Sequence, residues 1–208
     1  MNVKSKQLPL LKFTLISAVI SSSLSWFYQK FCIDLPVLKK LLKSLLNILQ
    51  IPQFVKNKYF IIILIACVTF FSFLPILNND FINYDDPAYV TKNVHVQSGL
   101  SFETVKWAFN STIESNWHPL TWISHALDTS LFGLNPMYHH VMNLFIHILS
   151  SIALFVIFNR MTKNIWGSAF VAIVFAIHPL HVESVAWIAE RKDVLSGFFW
   201  ILTIGFYS

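Results

Sequence analysis

Two adjacent carboxylates, Asp85 and Asp86, follow Asn83-Tyr84 and precede Pro87 in this 208-residue chain. Repulsion within such a pair raises one pKa, which suits that member to take a proton as a general base. The same Asp-Asp-Pro string also suits a solvated acidic turn. A second charged group is Glu190-Arg191-Lys192-Asp193. Arg191 could grip a phosphate through two parallel hydrogen bonds while Lys192 adds a point charge; the four residues could equally neutralise one another as a loop. His178, His181 and Glu183 bear donor types that hold a divalent metal, and the three-residue histidine spacing permits one helical face. Interfacial hydrogen bonding is their other use. His139, Asn143 and His147 fall at i, i+4 and i+8. Polar residues inside an apolar helix line a watery path or bond a neighbouring helix. His118, His139, Asn143, Glu190 and Asp193 are the candidates for a substrate channel.

The elements that carry these residues are apolar. Hydrophobic residues make up 55% of the chain and charged ones 12%, with a mean hydropathy of +0.59. A soluble domain carries about twice that charged fraction. Four runs, about 59–77, 141–159, 165–178 and 194–208, read as spans, the third being short. The expected fold is all-α, a partial polytopic membrane bundle. Outer connections fall at about 78–140 and 179–193. In the longer one, Ser101 suits a helix cap, Pro119 a first helical position and Gly133 a stop. Trp122, Ile123, Ala126 and Leu127 alternate with His125 and Asp128 at helical spacing, and Trp107, Trp117 and Trp122 suit a membrane-interface level. These features predict short interfacial helices; a small soluble cap is the alternative.

The net charge of +5 is unevenly spread. Residues 1–58 hold nine lysines against one acid, Asp34, a balance of +8, and the rest of the chain balances at −3. Lysines ahead of the first long apolar run mark a cytoplasmic flank. The basic residues are not interleaved with aromatics along an exposed face, so nucleic-acid binding is not expected. Within this segment, 13–28 is an apolar, serine-rich run. Leucines 38, 41, 42, 45 and 49 share one face of a helix over 35–50, as on a membrane surface or in a packed helix. Phosphate loops, dinucleotide-binding glycine patterns and serine elbows are absent from the sequence, which leaves nucleotide hydrolysis and soluble redox chemistry without support.

Three separated stretches, NDFINYDDPAYVTKNVHV, NWHPLTWISHALDTSLFGLNPMYHHVMNLFIHIL and FAIHPLHVESVAWIAERKDVLS, resemble the membrane part of the transmembrane and tetratricopeptide-repeat proteins. These are C-type (GT-C) glycosyltransferases, whose eukaryotic members are protein O-mannosyltransferases and which have bacterial relatives. The resemblance covers about 79–208. It implies a multispan enzyme, in a bacterial inner membrane with its N-terminus cytoplasmic, using a polyprenyl-phosphate sugar outside the cytoplasm. The acceptor would be a protein, at Ser or Thr, or a glycan. Asp85 and Asp86 stand where the family places its catalytic base, and Arg191 with Lys192 where a donor phosphate is met. His118 replaces an arginine found in many relatives, and Arg191-Lys192-Asp193 replaces Arg-Ala-Asp. Beyond membrane lipid and the lipid-linked sugar donor no cofactor is implied; a divalent metal is the open alternative. The competing readings are a non-catalytic membrane scaffold and a metal-dependent hydrolase. The chain shows no 34-residue repeat period. It is expected to be the N-terminal part of a longer enzyme, inactive when expressed alone.

Overall fold

The computed structural model describes residues 57–207. The basic flank up to residue 56, the run at 13–28 and the leucine-faced helix at 35–50 lie outside the described residues. Within them the secondary structure is helical, without a strand.

α1 (Lys58–Phe73) starts where the Asn57 side chain accepts the Tyr59 N–H at 3.0 Å. It tightens into a 3-10 turn, Leu74–Asn78, because Pro75 has no N–H to continue an α ladder. Four short pieces follow: a π turn at Pro87–Thr91, α2 (Val94–Gln97), α3 (Phe102–Asn110) and α4 (Pro119–Phe132). Ser101 caps α3 by accepting the Thr104 N–H, and α4 runs from Pro119 to a stop at Gly133, φ +70°. These boundaries are local chemistry, and the sequence announces them.

α5 (Pro136–Thr162) has 27 residues, about 40 Å at the helical rise. Lys163 takes a left-handed turn and Asn164 at once caps α6 (Ile165–Ile177), so the two helices form a hairpin. α7 (His181–Ala186) and a 3-10 turn, Ile188–Glu190, lead into α8 (Arg191–Tyr207). α8 returns along α5, where a Cβ on Gly205 would lie 2.7 Å from Ile157 Cδ1. Lys58–Asn78 and Pro136–Thr162 are long and apolar enough to cross a membrane. α6, with 13 residues, spans about 20 Å and falls short of a bilayer core of about 30 Å.

The pieces between α1 and α5 have their own core. Tyr89, Val90, Val96, Ala108 and Trp122 pack with Ile188 and Ala189 from the second connection. Trp122 is therefore fully buried rather than at an interface level, whereas Trp117 is 58% exposed. In α4, Trp122 and Ala126 are buried, but so are His125 and Asp128, while Leu127 is exposed. The polar pair goes inward because it has buried partners there.

Candidate functional site

Arg191 begins α8 and is fully buried. Its Nη1 lies 2.5 Å from Asp128 Oδ2 and donates to Ser124 Oγ at 3.3 Å. Nε donates to Asn143 Oδ1 at 2.6 Å, and Nη2 to the His139 carbonyl at 2.8 Å. A buried charge is tolerated only when paired and hydrogen-bonded, and here α4 and α5 supply both. Burial pulls the guanidinium below its ordinary pKa, and Asp128 opposes that shift. Arg191, expected to face a donor phosphate, has its donors engaged by an internal cradle. The sequence alone assigned no role to Asp128 or Ser124, and their i, i+4 spacing on one helix was the available signal.

His139 and Asn143 take the second of their two expected uses, bonding to neighbouring segments. Both are fully buried. His139 Nδ1 lies 3.3 Å from Asp128 Oδ2 and 3.2 Å from His125 Nδ1. The Asn143 amide donates to the carbonyls of Val185 and Trp187. His147, one turn further on, donates from Nε2 to the Ala176 carbonyl at 2.9 Å. The i, i+4, i+8 row is thus a helix-bonding seam, and its last member, His147, also lines a cavity of about 280 Å³.

The two carboxylates of the pair differ. Asp86 is fully buried, accepting the Ile82 N–H at 2.7 Å on one oxygen and the Ala189 N–H at 2.9 Å on the other. Burial raises its pKa, the two amides oppose the rise, and the Asp85 charge adds a small further increment. Asp85 is half-buried, and among the described residues no side chain or amide bonds its carboxylate. Its charge reaches the Tyr89 phenol, which burial holds above its ordinary value. Lys192 Nζ lies 5.6 Å from the centre of that same ring and 2.5 Å from Glu190 Oε1.

Lys192 also lines a groove of about 480 Å³ with Phe109, Trp117, His118, Leu120 and Phe199. The groove is apolar apart from Lys192, the half-buried His118 and a few hydroxyls. Burial, then the Lys192 charge, lowers the His118 pKa, so the ring is an uncharged donor or acceptor near neutrality. Asp193 lies on the other side of α8, in a smaller cavity of about 280 Å³ with His147, His181 and Ser184.

His178, His181 and Glu183 do not converge as metal ligands. His178 is extended at the end of α6 and α7 begins only at His181, so the pair shares no helical face. Instead the His181 ring packs 4.5 Å from Phe175. Among the described residues the converging group is His125, Asp128 and His139, with ligand atoms within 4.8 Å of one another. Asp128 already carries the Arg191 charge at 2.5 Å. A divalent cation would put two more positive charges beside a buried guanidinium, which costs heavily in low dielectric. The group fits Arg191 better than it fits a metal.

The chain is similar to protein O-mannosyl-transferases. It is 32% identical to Protein O-mannosyl-transferase TMTC1 of Mus musculus over 138 residues, 61% of this chain and 14% of that protein. The Homo sapiens TMTC1 protein is 29% identical over 144 residues, 64% of this chain and 16% of that protein. The TMTC2 protein of Mus musculus is 31% identical over 99 residues, 46% and 11% of the two chains. This chain therefore spans about a sixth or less of the length of these relatives. Protein-family models and solved structures give no match.

Proposed function

We propose that this chain carries the acceptor-activating part of an extracytoplasmic, membrane-embedded glycosyltransferase that takes mannose from a polyprenyl-phosphate donor. The observation that carries the reading is Asp85: among the described residues its carboxylate has no bonded partner, and its charge, like that of Lys192, acts on the Tyr89 phenol, whose ring centre lies 6.5 Å from that of His118 in the apolar groove that Lys192 also lines. A lipid-linked phosphate needs an apolar surface for its tail and a cation for its head. Lys192 and the groove supply both, and the names of the similar proteins supply the sugar.

In this reading the acceptor hydroxyl, on a protein Ser or Thr, attacks the anomeric carbon. Asp85 takes the hydroxyl proton as the new C–O bond forms. The bond from the anomeric carbon to the phosphate oxygen breaks with its electron pair on the phosphate, and Lys192 stabilises that charge. Attack opposite the leaving group inverts the anomeric centre. General-base help contributes about 10²–10⁴-fold, whereas Lys192 holds the donor phosphate about equally before and during its departure, so that its contribution is to donor binding. Asp86 is tied to backbone and holds the segment instead. The first connection and the 179–193 turn lie outside, with the lysine-rich flank in the cytoplasm.

The test is transfer of radiolabelled mannose from polyprenyl-phosphate mannose to a Ser/Thr peptide by the natural gene product in proteoliposomes. Asp85→Asn is expected to lower kcat by about a hundredfold or more with little change in donor KM. Absence of transfer, or an unimpaired Asp85→Asn variant, refutes the proposal; the former outcome favours a non-catalytic membrane scaffold.

A further inference from the structure

The connection that carries Lys192 makes few bonds of its own. Its backbone holds Trp187 N–H to Glu183 O and Glu190 N–H to Trp187 O. The Arg191 N–H reaches Ile188 O, Ile188 and Ala189 pack in the core with Tyr89 and Trp122, and distant side chains hold the connection at alternate positions. Asn143 takes the Val185 and Trp187 carbonyls, Asp86 takes the Ala189 N–H, and Asp128 takes the Arg191 guanidinium. Three elements thus hold one turn: the first connection, α4 and α5. Lys192 is the next residue, and its ammonium then meets Glu190 and the Tyr89 ring.

A buried ion pair adds little stability over a packed apolar pair of the same volume. What a guanidinium adds is orientation, because its donors form a rigid fork and four acceptors from different elements fix it. A lysine cannot orient itself in this way, since its charge sits on a flexible four-carbon stem. Its reach into the groove is set by where the backbone under it lies.

We propose that Asp128, through Arg191, is a positioning residue that seats the 188–192 turn and so holds Lys192 at the groove. The inference rests on the reading of Lys192 as the cation that meets the donor phosphate.

Two variants of the natural gene product test it: Asp128→Asn, which leaves Arg191 unpaired, and the double variant Asp128→Leu/Arg191→Met, which removes both charges. Amide exchange over Ala189–Lys192 is expected to rise about tenfold or more in both. The KM for polyprenyl-phosphate mannose is expected to rise about tenfold, with kcat at saturating donor changing less than about threefold. The double variant regains the thermal stability that Asp128→Asn loses, but not the donor KM or the slow exchange. Lys192→Met raises donor KM by a similar factor and adds little to the double variant.

A double variant with normal exchange at Ala189–Lys192 overturns the proposal. So does a normal donor KM in that variant. If the unaltered protein transfers no sugar, the functional reading fails, and the exchange measurement still decides whether Asp128 seats the turn.

Discussion

Replacing Asp86 by Asn should cost stability, and replacing Asp85 by Asn should cost rate. The asymmetry follows from geometry. Asp86 is fully buried and accepts one backbone N–H on each oxygen, from Ile82 at 2.7 Å and from Ala189 at 2.9 Å. An asparagine keeps one acceptor oxygen and turns an NH₂ group toward the other N–H. One hydrogen bond to a charged group is lost, worth about 1.5–3 kcal/mol, and a buried N–H is left without a partner, worth about 1–3 kcal/mol. Part of this is offset because asparagine avoids burying a charge, the effect that raises the Asp86 pKa. The net expectation is about 2 kcal/mol. Asp85 is half-buried and has no bonded partner for its carboxylate among the described residues, so Asp85→Asn should stay within about 0.5 kcal/mol of the parent while kcat falls by about a hundredfold or more. Denaturant or thermal unfolding in detergent reads the first quantity and mannosyl transfer the second. Asp86→Asn with unchanged stability and a rate loss equal to that of Asp85→Asn would refute the division of labour.

Three further outcomes are expected. His125 is buried beside Arg191 and His139, and burial first, then those charges, holds its pKa well below the usual value. The unfolded chain therefore binds a proton below pH about 6.5 while the folded chain resists it, so stability is full above that pH and falls as the pH drops toward the depressed value. Melting temperatures at pH 7.5 and 5.5 should differ, and His125→Gln should shrink the difference. Gly99, at φ +82°, faces Ser130 Oγ, which would lie 2.5 Å from an added Cβ and which accepts the Leu100 N–H; Gly99→Ala should destabilise by about 1–3 kcal/mol in the same melts. Trp122→Ala should cost about 3–5 kcal/mol because the ring is fully buried, whereas Trp117→Ala, 58% exposed, should cost far less.

The sequence by itself determined the local features. Helix starts at Ser101 and Pro119 and the stop at Gly133 follow from a cap, a fixed proline φ and a glycine at positive φ. The apolar runs and the lysine-rich flank were likewise legible, because composition and charge order need no partner to be read. The tertiary structure alone decided which polar residues meet. Asp86 and Ala189 are 103 positions apart, and no periodicity links them. It separated two adjacent aspartates into a buried clamp and a carboxylate that has no bonded partner among the described residues, and it enclosed Arg191 in a buried cradle built by Asp128, Ser124, Asn143 and the His139 carbonyl. The reason is that a buried charge must find its counter-charge and acceptors within hydrogen-bond reach. Chain folding brings those groups together from α4 and α5, and sequence spacing does not encode that meeting.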